Sequence, residues 1–142
     1  MPRAKPTNLE RVRALCLALP ETSERLTWGD VPTFRVKEKI FVLVESAHAA
    51  LWCKGRDGLQ TALVSSQADA YFVPPYLGGK GWIGARLDAK TDWHALEALI
   101  EDSYRLVAPK RLSATLPGLE VAVTSPKRST RAGPRRNARF DR

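Results

Sequence analysis

Leu9, Val12, Cys16 and Leu19 recur every three or four positions, the spacing that lays side chains along one face of a helix. Just before them, Thr7-Asn-Leu-Glu10 reads as a capping box: the Thr7 hydroxyl accepts from the Glu10 amide and the Glu10 carboxylate reaches back. Pro20, with no amide proton to donate, stops this helix. The period then changes. Residues 25–28 and 33–36 are short β candidates around a turn at Gly29-Asp-Val-Pro32. Lys37-Glu-Lys39 is a tight polar connection into Ile40-Phe-Val-Leu-Val44, the strongest strand signal in the chain. Residues 50–54 read as its antiparallel partner, joined through Ser46-Ala-His48.

A short helix is predicted over residues 56–66, with Leu59, Ala62 and Leu63 on its apolar side. Tyr71-Phe-Val73 is a strand that must end at Pro74-Pro75. The loop Tyr76-Leu-Gly-Gly-Lys-Gly81 follows, its three glycines permitting unusual backbone angles, and residues 82–87 return as a strand. Asp92 is a good N-cap for the last helix, whose face is lined by Trp93, Leu96, Ile100, Tyr104 and Val107 and which Pro109 closes. No segment repeats. The predicted fold is therefore a two-layer α+β domain, an antiparallel β-sheet with helices packed on one face, in the order α-β-β-β-α-β-β-α. It spans residues 1–112.

Residues 113–142 are read as a C-terminal extension. Val121-Ala-Val123 could form a small strand or pack against the body. From about residue 126 the chain is rich in Ser, Pro and Arg and nearly free of apolar residues, so burial cannot offset the entropy of ordering it and disorder is expected. The charge sits there too. The chain carries +8, and residues 127–142 hold seven basic residues and one acid, which leaves only +2 on residues 1–126. A basic composition therefore says little about the folded body.

No apolar run is long enough to span a bilayer, and the first residues lack the apolar stretch of a secretory signal, so a soluble cytoplasmic protein is expected. Cys16 and Cys53 belong to no CxxC or Cys/His cluster and read as buried reduced thiols. With His48 and His94 the only histidines, neither metal nor cofactor is expected. Nucleophile-elbow, zinc-protease, P-loop and dinucleotide motifs are all missing. Gly78-Gly-Lys-Gly81 resembles a phosphate loop but leads into a strand, where a tight hairpin turn is the simpler reading. His94 reads as a first-turn surface residue, His48 and Asp30 as turn residues. No acid/base pair can be named, and a non-catalytic protein is expected.

Basic and aromatic residues form a better constellation. Trp28, Phe34, Tyr76 and Trp82 lie close in sequence to Arg35, Lys39, Lys80 and Arg86, and Lys110-Arg111 follows the last helix. Cations neutralise phosphates and exposed rings can stack on bases, although tryptophans in a small domain usually serve the core. These same residues carry a resemblance. Trp28-Gly-Asp-Val-Pro-Thr-Phe-Arg-Val36, Pro75-Tyr-Leu-Gly-Gly-Lys-Gly-Trp82, Leu87-Asp88, Asp92-Trp93 and Tyr104-Arg-Leu-Val-Ala-Pro-Lys-Arg-Leu112, with Cys16-Leu-Ala-Leu-Pro-Glu21, resemble the MmcQ/YjbR family in order from about Leu9 to Leu112. The resemblance implies a fold similar to CyaY-like and secretion-chaperone-like domains, and DNA binding through a double-wing arrangement.

Two functions follow as expectations. In the first, the protein binds nucleic acid, DNA above all, at low specificity. The wings are the turns at residues 37–39 and 78–81; Arg35, Lys39, Lys80, Arg86, Lys110 and Arg111 make the contacts. Lys127, Arg128, Arg131, Arg135 and Arg136 of the tail add attraction that weakens with salt. In the second, Trp28, Phe34, Tyr76 and Trp82 line a pocket for a small ligand or a protein, and the tail is incidental. Basic residues sharing one exposed face would favour the first; aromatics closing on a concavity would favour the second.

Overall fold

The computed structural model describes residues 6–45 and 49–116. The turn placed at Ser46, Ala47 and His48, the segment from Val121 to Val123 and the basic tail lie outside the described residues. The first helix, α1 (Asn8–Leu17), starts on the expected capping box: Glu10 N–H donates to Thr7 Oγ1 at 3.1 Å and Thr7 N–H to Glu10 Oε1 at 2.9 Å. Val12, Cys16 and Leu19 are buried as their spacing predicts.

Four strands follow: β1 (Thr22–Thr27), β2 (Val31–Val36), β3 (Lys39–Val44) and β4 (Ala50–Cys53). After α2 (Leu59–Ser66) come β5 (Tyr71–Phe72) and β6 (Ile83–Arg86), then α3 (Trp93–Val107). The arms either side of Gly29 are thus two full strands, and Val31 and Pro32, expected in the turn, pair with Thr27 and Leu26. A short helix α4 (Lys110–Ser113) begins after Pro109, which no apolar period announced. The six strands form one antiparallel sheet in the order β1-β2-β3-β4-β6-β5.

Helices cover one face. Phe34, Val36, Val42, Val44, Leu51 and Ile83 point from the sheet into a core closed by Val12, Leu63, Leu99, Ile100 and Tyr104. Between β2 and β3 the register skips Phe41, a bulge that turns both Phe41 and Val42 inward. Phe41 meets the Tyr104 ring edge-on at 5.5 Å, a pair that contributes about 0.5–1.5 kcal/mol beyond burial. The Tyr104 hydroxyl donates to Pro20 O at 2.7 Å, fastening α3 to the end of the first helical turn region. Ser103, fully buried, accepts from Lys54 N–H and donates to Phe41 O, fastening α3 to β3 and β4.

The other face carries no helix among the described residues. Here Thr27, Thr33 and Arg35 form one hydrogen-bonded group, and Trp52 lies opposite Gly84. A Cβ at Gly84 would collide with the Phe72 ring, so glycine lets that ring lie across β6. The Arg86 guanidinium then sits 4.9 Å above the same ring.

Candidate nucleic-acid interface

Antiparallel pairing decides which loops share an end of the sheet. β2 runs toward Val36 and β3 departs from Lys39, so the turn between them lies at one end. Cys53 pairs with Ile83, which brings the end of β4 and the start of β6 to that same end. The two lysine-bearing turns, forty residues apart in sequence, thereby become neighbours across roughly two to three strand spacings, about 10–15 Å. Arg111 reaches the same end through its ion pair with Glu21, which precedes β1.

Lys39 and Lys80 are exposed and have no ion-pair partner among the described residues. Lys110 is likewise exposed and unpaired, and Lys54, half-buried at the end of β4, joins them. Other cations at this end are paired. Lys37 Nζ lies 3.3 Å from Glu21 Oε1, Arg111 Nη1 3.1 Å from Glu21 Oε2, and Arg56 Nη1 2.6 Å from Asp102 Oδ1. Hydrogen bonds from Arg111 and then Lys37 hold the Glu21 carboxyl below its ordinary range, and Glu21 in turn raises Arg111. Sequence reasoning passed over Lys54 and Arg56, which carry no signal until the pairing of β4 with β6 is known.

The backbone is unusual at this end. Lys37 and Glu38 have φ of 51° and 66°, and Tyr76 and Glu21 of 65° and 58°, all in the left-handed region that disfavours side chains. Gly78–Lys80 is a single 3-10 turn inside the connection from β5 to β6, and not the tight hairpin turn expected from its glycines. The reason is lateral. Gln60 of α2 donates to Gly78 O at 2.8 Å and to Trp82 O at 2.6 Å, pulling the loop onto the start of that helix. α2 begins at Gly58 with no side-chain cap. A polar cleft of about 340 Å³ opens there, its lining including Arg56, Asp57, Gly58, Thr61, Gly79 and Lys80.

The remaining sequence candidates are scattered. Arg35 lies on the helix-free face, its guanidinium donating to Thr27 Oγ1 at 3.0 Å, to Thr33 Oγ1 at 3.3 Å and to Glu38 O at 3.5 Å. Arg86 sits toward the opposite end of the sheet, bound to the main-chain oxygens of Ala68, Asp69 and Tyr71. The four aromatics do not converge on a cavity. Phe34 is sealed in the core and Trp82 is buried, whereas Trp28 is 68% exposed in the β1–β2 turn at the far end and Tyr76 is 96% exposed beside the Gly78 turn. Lys127, Arg128, Arg131, Arg135 and Arg136 fall outside the described residues. Both thiols are buried and free, and burial pushes each well above its ordinary range, so neither offers a thiolate.

Sheet order, a single helical layer and two projecting turns define a small α+β domain of one recognisable type. The YjbR family model matches residues 17–106, and the chain belongs to that family. No curated protein matches it. A solved structure, protein DR2400 of Deinococcus radiodurans, with the family-model domain DUF419, is similar at 22% identity over 72% of this chain and 78% of that one, with a TM-score of 0.63. That likeness concerns the fold. No helix among the described residues is long and apolar enough to cross a membrane.

Proposed function

We propose that this protein binds DNA through the end of the sheet where the Lys37–Glu38 and Gly78–Lys80 turns project. The observation that carries the reading is the gathering of Lys39, Lys54, Lys80 and Lys110, none of them neutralised by a carboxylate among the described residues, at one end of a body with little net charge. Unpaired ammonium groups at turn tips are suited to phosphate oxygens, and each phosphate neutralised releases counterions. The uncapped start of α2 beside Lys80 adds main-chain donors of the right polarity. Tyr76, exposed and held at positive φ, offers a ring to a base or sugar. The basic residues 127–142 add non-specific attraction to a polyanion that weakens with salt.

The binding is expected to be of low sequence specificity. Arg35, the residue with the fork needed to read a base edge, is committed to two threonines and a carbonyl. The test is anisotropy of a labelled duplex over a salt series, with the full chain and Lys39→Ala/Lys80→Ala. Losing two phosphate contacts should weaken binding and make the slope of log K against log salt shallower by roughly 2 units. An unchanged affinity and slope would remove this end of the sheet as the DNA contact.

A further inference from the structure

Tyr76 is the most exposed large apolar side chain among the described residues, 96% open to solvent, and it makes no hydrogen bond or ring contact with any of them. One exposed ring would by itself mean little. The backbone that carries it says more. Tyr76 has a φ of 65°, and Leu77 N–H donates across it to Pro75 O at 2.6 Å. A positive φ at the centre of such a bond makes a γ-turn of the rare, strained kind.

Both sides of that turn are fixed. Pro74 and Pro75 lock the two preceding φ angles, and Gly78 N–H donates to Pro74 O at 2.9 Å. Leu77 O accepts from Lys80 N–H at 3.0 Å and from Trp82 N–H at 3.3 Å, while Gln60 holds Gly78 O and Trp82 O from the side. A Cβ at Gly78 would collide with Val73, so glycine lets the loop fold back on the residue after β5. Backbone strain persists only where surrounding contacts over-determine it, and here they hold an aromatic ring out in water.

The neighbours of the ring indicate what it meets. Lys80, four residues on in the same loop, is exposed and has no carboxylate partner among the described residues, and Lys39 borders the adjoining turn. A ring for a base and ammonium groups for phosphates are the two parts of a strand-binding surface. In a duplex the base faces are stacked on one another, so a side chain meets one only at an end or by forcing a step open. Reading a duplex through its grooves needs forked donors aimed at base edges. The guanidinium groups here are already spent: Arg35 on two threonines and a carbonyl, Arg56 on Asp102 and Arg111 on Glu21. A single strand leaves its base faces free.

We propose that the nucleic acid preferred by this site is single-stranded, with the Tyr76 ring stacked on an unpaired base and Lys39 and Lys80 on phosphates of the same strand. The inference rests on the DNA contact proposed above and narrows it: a duplex is held by the same lysines, without the ring. Every base has a flat face, so the preference is for unpaired strand and not for a sequence. Trp28, also exposed and at positive φ, stands at the far end of the sheet from these lysines and takes no part.

The experiment is anisotropy of two labelled DNAs with the full chain at matched salt, an oligothymidylate of about 12 nucleotides and a duplex of the same length. The single strand should bind at least several-fold more tightly. Tyr76→Ala should weaken the single strand about tenfold, the scale of one stacked base, and the duplex less than about twofold. Tyr76→Phe keeps the stacking face and should keep the affinity, and Trp28→Ala should leave both DNAs bound as before. Lys39→Ala/Lys80→Ala should weaken both. If that lysine variant weakens both DNAs while Tyr76→Ala affects neither, the DNA contact stands and the stacking proposal falls. If no variant affects either DNA, both fall. A duplex bound as tightly as the single strand, or a Trp28→Ala loss equal to that of Tyr76→Ala, would also overturn the proposal.

Discussion

Glu101 lies on α3, almost wholly buried, and its Oε1 has no hydrogen-bond partner among the described residues. Burial raises its carboxyl above the ordinary range; Arg105 opposes the shift and Glu97 adds to it. The sign of the consequence follows. The unfolded chain releases this proton at the ordinary carboxylate pKa of 4.5, while the folded chain holds it to higher pH. Stability therefore falls as pH rises from 4.5 through the raised value, and the penalty persists above it. Glu101→Gln should be more stable than the parent at pH 7 by urea unfolding, with the gap closing below about pH 4. An equal difference at both pH values would mean that shape, and not charge, is responsible. Residues such as Glu101 and Ser103 were illegible in the sequence, since a polar residue on an amphipathic helix reads as solvent-facing until its neighbours are known. Phe34 and Trp82 erred the other way: named for a pocket, they build the fold because their positions face the helices or the packed edge of β6.

The β2–β3 turn illustrates what an element can and cannot announce. Lys37-Glu-Lys39 was recognisable as a polar connection between two strands, although β2 begins two residues earlier than expected and β3 takes in Lys39 itself. Its conformation was not recognisable. Two consecutive residues at positive φ are the geometry for which Asn-Gly is the favoured pair, and this chain uses Lys-Glu. Exchanging them, Lys37→Asn with Glu38→Gly, should raise stability by about 1 kcal/mol after the added glycine flexibility is allowed for, measured by urea unfolding. The exposed pairs Lys37–Glu21 and Arg25–Glu38 that are lost contribute little in return. If the exchange lowers stability, those side chains hold the turn. Because Lys39 is kept, duplex binding should change less than in the variant lacking Lys39 and Lys80. Caps were the most legible elements: Thr7 with Glu10 and Asp92 with Ala95 form as read, since a cap needs only residues within four positions.

On the scale of the whole molecule, four lysines without a carboxylate partner among the described residues gather at one end of the sheet. Residues 127–142 add seven further cations to the chain. A chain ending at Leu116 should still bind duplex DNA, with weaker affinity and a salt slope shallower by up to about 5 units than the full chain, since the removed residues 117–142 carry seven cations and two acids, a net +5. Binding that vanishes with the tail would assign all of it to residues 117–142 and leave the lysine turns without that role. The three longer helices, the presence of the strands, most of their inward apolar residues and the family to which the chain belongs were legible in the order of residues alone, because periodicity, caps and turn residues act over a few positions. Tertiary structure decided the rest. Only the insertion of β6 between β4 and β5 brings Lys80 to the end that holds Lys39, and sends Arg86, three residues beyond Ile83, to the other. Such pairings join residues tens of positions apart, and what selects them is the burial of one shared face, a property of no single segment.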